Sequence, residues 1–144
     1  MEPKNVSGGV RFSRYAYVTL AMIFAACVMA QVFLAGMAIF GNPADWKMHA
    51  AFVSYFQYLP ILIFVLAFTG RIKGELRWMP LGLIVLLVVQ YATANMANLA
   101  SGYIAAIHPV TGMGMFVLAM NIVRASWSSL LKASRKNESY GKGI

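Results

Sequence analysis

Two histidines, His49 and His108, one cysteine, Cys27, and four acidic residues are nearly all that this chain of 144 residues offers for chemistry. Gln31 precedes His49 by eighteen residues, and Gln90 precedes His108 by eighteen; the two pairs lie 59 residues apart. Two imidazoles reaching toward each other can hold one metal macrocycle. A b-type haem needs two opposed neutral histidines and little else from the protein. Zinc or copper asks for three or four ligands, and no third is evident. A proton relay inside a membrane draws on Asp or Glu, which the apolar stretches lack. The inventory therefore favours haem b, with His49 and His108 as axial ligands to the iron. Ordinary hydrogen-bonding or helix-capping histidines are the competing reading.

The elements that must position these residues are apolar. Hydrophobic residues make up 60% of the chain and charged residues 11%, against about 25% charged in an average soluble domain. A single cysteine excludes a disulfide framework within the chain. Four stretches approach the roughly 20 residues that a membrane-spanning helix needs: 15–40, 46–68, 79–100 and 107–127. Their continuous hydrophobicity argues against a β-barrel. Phe24-Ala25-Ala26-Cys27 faintly resembles a lipoprotein cleavage box, but the sequence stays apolar to Phe40, so the segment reads as a span and not as a cleaved signal. The expected fold is all-α, an integral membrane four-helix up-down-up-down bundle built from a two-helix parallel repeat. Polar tails at 1–14 and 128–144 flank it.

Charge sets the expected orientation. Eleven of twelve basic residues fall before the first span, between the second and third, or at and after the end of the fourth; Lys47 alone lies on the other side. By the positive-inside rule both termini are cytoplasmic and the protein sits in the cytoplasmic membrane. The net charge of +8 is then topology and not a nucleic-acid footprint. Both histidines fall about one turn below the outer surface, with Lys47 within reach of haem propionates there.

Neighbouring residues complete the candidate site. Gly112 lies four residues after His108 on the same helix face, where a missing side chain lets a flat ring approach. Gln31 and Gln90 are expected about two turns deeper than the histidines. Gln90, Asn98 and Ser101 fall on one arc of the third span, with Asn95 at its edge and Thr93 flanking its other side. This stripe should face the interior, as interhelical hydrogen bonding or as a pocket lining. Pro60 should bend the second span.

The strings Gln31-Val-Phe-Leu-Ala-Gly36, Asp45-Trp46-Lys-Met-His49 and Ile107-His108-Pro109-Val110 resemble a family of small, largely uncharacterised prokaryotic four-helix membrane proteins. The resemblance covers roughly Tyr15 to Ser126. More distantly, a Gln-x-x-x-x-Gly span followed by a His-led span looks like one half of the haem A synthase family, in which histidines of a four-helix bundle bind haem. That likeness implies a haem site at His49 and His108. It does not imply haem A synthesis, because the chain is about half the size and its spans carry no acidic residue.

Three functions follow as expectations. The first is a bis-histidine haem protein for electron transfer or haem handling, not an enzyme on its own, working with a redox partner. The second is a non-catalytic subunit of a larger membrane complex. The third is a transporter-like or quinone-handling protein using the third-span stripe.

Overall fold

The computed structural model describes residues 7–96 and 102–141. It is helical, with no strand among the described residues. Helix α1 covers Gly8–Phe40, α2 Trp46–Phe56, α3 Leu59–Thr69, α4 Met79–Met96, α5 Gly102–Ala105 and α6 Ile107–Gly141. Three segments are long and apolar enough to cross a bilayer: Gly8–Phe40, Pro43–Thr69 and Tyr103–Leu130. Met79–Asn95 is apolar but shorter.

The helix ends have local causes. At the end of α1 the amides of Gly41 and Asn42 both turn back to the Met37 carbonyl, at 2.8 and 3.1 Å. A Cβ on Gly41 would stand 2.7 Å from that oxygen, so the turn needs glycine. Asn42 then accepts from the Ala44 amide at 3.0 Å and starts the single 3₁₀ turn, Pro43–Asp45, that leads into α2. The second apolar segment breaks at Gln57 and Tyr58. Pro60 has no amide to give, and the amides of Ile61 and Leu62 both bond to the Tyr58 carbonyl. The expected bend is therefore a break into α2 and α3.

Two helix limits, the start of α1 and the end of α6, differ from expectation. Helix α1 starts at Gly8 and not near Tyr15, because the hydropathy that marks a span does not mark where hydrogen bonding begins. Helix α4 is described to Met96, and residues 97–101 lie outside the described set. Helix α6 runs past Trp127 to Gly141, through a stretch without proline or glycine to stop it.

Helix α1 packs against α6 and α3, and α4 packs against the same two. Small residues let these backbones approach: Ala21, Ala25, Ala67 and Ala119 are almost fully buried. Phe24 stands edge-on to Phe56, with ring centres 5.8 Å apart. Many of the buried positions recur 59 residues apart: Ala21 and Pro80, Phe24 and Leu83, Phe56 and Met115, Pro60 and Ala119, Ile63 and Ile122, Ala67 and Ser126. Large apolar residues such as Phe33, Phe40, Val110 and Met113 face outward, as lipid contact requires. The protein is membrane-embedded.

The opposite end of the bundle from the histidines is tied by polar contacts to backbone. Tyr17, fully buried, donates its hydroxyl to the Leu76 carbonyl at 2.7 Å. Arg14 Nε donates to the Gly70 carbonyl at 2.9 Å, and Arg77 Nε to the Ile72 carbonyl at 2.7 Å. The first two bonds fasten the turn between α3 and α4 onto α1, and the third braces the turn itself.

Candidate functional site

Each histidine stands near the start of its helix, four residues into α2 for His49 and second in α6 for His108. Pro109 follows His108 in the first turn of α6, where its missing amide costs no hydrogen bond. His49 Nδ1 lies 3.1 Å from the backbone carbonyl of Gln31 on α1. His108 Nδ1 lies 3.2 Å from the backbone carbonyl of Gln90 on α4. The same contact thus forms twice, at the same spacing of eighteen residues. A carbonyl can only accept, so Nδ1 of each ring carries the proton and Nε2 keeps its lone pair.

The expectation that Gln31 and Gln90 sit two turns deeper than the histidines does not hold. A helix carbonyl points toward the C-terminal end of its helix, which is the end where the next helix begins. The imidazole reaches back to that oxygen, so the glutamine backbone and the ring share one level. The glutamine side chains do something different. Oε1 of Gln31 and Oε1 of Gln90 are both buried and lack a hydrogen-bond partner among the described residues.

The two rings meet across the bundle. Their centres are 6.3 Å apart and their planes 58° apart. Two imidazoles bound to one metal from opposite sides, at about 2.0–2.1 Å per nitrogen, hold their ring centres roughly 6 Å apart. Rotation about that axis changes the angle between the planes without moving the centres. The surroundings are unequal. Trp46 stands edge-on to His49 at 5.4 Å. Thr93, 5% exposed, places Oγ1 3.3 Å from His108 Nδ1.

Gly112 does lie beside the site, and its open side is taken by Gln90: a Cβ there would stand 2.8 Å from Nε2 of that amide. Gly36, on α1, has nothing within 4 Å of an added Cβ. Asn98 and Ser101 lie outside the described residues. Within the stripe on α4, Thr93 is the buried member, while Ala94 and Asn95 are exposed. The interior face of α4 is therefore centred on the Gln90–Thr93 row, three residues apart, and not on Ala94. Lys47 is exposed two residues before His49.

The sequence alone gives Trp46 no part beyond its place in the string that leads to His49, and Thr93 none beyond a flank. Trp46 precedes His49 by three residues and Thr93 follows Gln90 by three, and these spacings were the available signals. It also missed Tyr91, whose hydroxyl donates to Gln57 Oε1 at 2.8 Å beside the break between α2 and α3.

Among the described residues no three His, Cys, Asp or Glu side chains gather as a metal-ion site. Two shallow apolar grooves, one along α6 beside Met113 and Val117 and one between α1 and α2 beside Phe33 and Met48, are lined by neither histidine. Their apolar walls suit lipid chains.

Residues 31–97 are similar to a family of unknown function, DUF6220. The match covers a little under half of the chain, begins at Gln31, and includes His49, Gln90 and Thr93 but not His108. It accords with the expected likeness to a small uncharacterised family. No curated protein and no solved structure matches the chain, and nothing found links it to haem A synthase.

Proposed function

We propose that the protein is a bis-histidine haem b protein of the cytoplasmic membrane, serving electron transfer or haem handling near the outer face. The observation that carries this is the imidazole pair: ring centres 6.3 Å apart, with each Nδ1 held by a glutamine carbonyl, which leaves the lone pair of each Nε2 for a ligand. A second hydrogen bond of this kind is what orients a metal-bound histidine and fixes its tautomer. When bound, haem supplies a reversible one-electron iron couple. The chain's own share is to orient two neutral imidazoles in an apolar bundle.

The frame we infer is four spans running up, down, up and down, from two helix pairs related by a pseudo-twofold axis. The recurrence of buried positions and of the His–Gln contact at one offset of 59 residues supports it. Helix α4 contributes the third span; its 18 residues rise about 27 Å, close to the thickness of the hydrocarbon core. The clustering of basic residues at one end supports a cytoplasmic position for both termini.

A second and compatible reading is a subunit of a larger membrane complex. It is favoured by the Tyr91–Gln57 bond on an exposed face, with Tyr58 62% exposed one residue further on. Polar groups facing lipid are costly and suit a partner helix. The test of the main reading is the absorption spectrum of the detergent-purified protein, oxidised and then reduced with dithionite. A sharp reduced α band with a shifted Soret band is expected. A protein spectrum alone, even after added haem, would overturn the reading.

A further inference from the structure

The contacts of Thr93 assign it a role that neither its place on α4 nor the pairing of the histidines required. We infer that Thr93 is a positioning residue for His108, and that it makes the two imidazoles unequal ligands; the inference rests on the bis-histidine haem reading.

The hydroxyl of Thr93 has one hydrogen and three neighbours. Oγ1 lies 2.8 Å from the Val89 carbonyl, 3.1 Å from the Gln90 carbonyl and 3.3 Å from His108 Nδ1. The hydrogen goes to Val89, at the shortest distance, the usual back-bond of a helical threonine. That leaves a lone pair of Oγ1 toward the ring nitrogen. The Gln90 carbonyl, 3.2 Å from the same nitrogen, can also only accept. The Nδ1 proton of His108 is therefore shared between two acceptors. Among the described residues His49 has one, the Gln31 carbonyl at 3.1 Å, and the position three residues after Gln31 is Leu34, which has no polar atom in its side chain.

The difference has a chemical direction. An acceptor on Nδ1–H draws the proton outward and raises the electron density at Nε2, making the imidazole a more basic ligand. A more basic axial ligand favours the oxidised, more positive metal. Thr93 thus lowers the reduction potential of a bound haem and holds the His108 ring in one tautomer. Burial strengthens both effects, because water does not compete for the contact.

Four forms of the full chain test this: wild type, Thr93→Val, Thr93→Ser and Leu34→Thr. Valine keeps the shape and removes the oxygen, serine keeps the oxygen, and Leu34→Thr offers His49, in the first half, the acceptor that His108 has. Two readouts are taken: the midpoint potential of the haem-loaded protein, and the nitrogen-15 resonances of the two imidazoles in the haem-free protein. Thr93→Val should raise the potential at unchanged haem content and move the His108 Nδ1 resonance while leaving His49 in place. Thr93→Ser should restore both, and Leu34→Thr should lower the potential. An unmoved potential and unmoved His108 resonance in a folded Thr93→Val protein would overturn the inference. Should Thr93→Val fail to fold, an unchanged potential in Leu34→Thr would count against the principle on which it stands. Wild-type protein that takes up no haem would overturn the haem reading instead, and the haem-free resonances would still decide the Thr93 contact.

Discussion

His49 and His108 are each held through Nδ1 by the backbone carbonyl of a glutamine eighteen residues earlier, yet one ring meets an indole and the other a hydroxyl. The interiors behind them compare in the same way. Phe24, edge-on to Phe56, fills in the first hairpin the place that Leu83 fills in the second. The second apolar segment is broken at Gln57 and Tyr58 ahead of Pro60, whereas Ala119, at the matching position, sits within the unbroken α6. What stays the same is the bond that fixes tautomer and ring orientation. What differs is everything that would adjust a ligand once oriented. The backbone supplies the common part, so the side chains around it are free to diverge.

The sharpest way to break the comparison is to remove one ring at a time. If the protein binds haem as proposed, His49→Ala and His108→Ala should each lose most of it, measured as haem per protein after purification, since each removes one of the two proposed ligands. Full retention in the double variant would leave the histidines as structural residues. The next effect is on the interior. Phe24→Ala should destabilise the fold by about 3–5 kcal/mol and Leu83→Ala by about 2–5 kcal/mol, read from unfolding in mixed micelles. The phenylalanine should be the costlier because its contact with Phe56 goes too. If the two losses were reversed in order, the hairpins would not be energetic counterparts.

Much of this architecture was legible in the residues, and for a simple reason. Apolar runs, basic clusters and an offset of 59 between two Gln–His pairs are all properties of sequence position. The break at Pro60 was legible too, since proline removes an amide wherever it falls. The histidine partners were legible as residues but not as atoms: the sequence points to Gln31 and Gln90 through their amides, and the contact is made by their carbonyls. Backbone groups are the same in every residue and leave no mark in a list of side chains. Thr93 was hidden by the helical-wheel count, which centred the polar stripe a residue away from the buried row. The extension of α6 to Gly141 was hidden by composition, because polar residues can be as helical as apolar ones.

Smaller effects sharpen the comparison. Trp46→Leu should cost about 0.5–1.5 kcal/mol through the lost edge contact, and should move the His49 resonances and not those of His108. Equal movement of both would mean that the rings respond as one unit. Gly112→Ala should change stability by less than about 1 kcal/mol, because helix propensity gains what displacing the Gln90 amide costs. The neighbour that must give way is the far end of a flexible side chain. A large loss there, measured by the same unfolding assay, would mean that the Gln90 amide is held in place by the site.

The bonds between His49 and Gln31 and between His108 and Gln90 each close within a single helical hairpin, across eighteen residues of chain. Such local contacts can form as soon as each hairpin exists. The approach of the two rings is different in kind, since it joins α2 to α6 across 59 residues. In terms of assembly, each hairpin prepares half of a binding site before the other half arrives, and the complete site appears only when the halves dock. A ligand that bridges the rings binds the docked state alone, so by mass action it draws the assembly equilibrium toward the finished bundle.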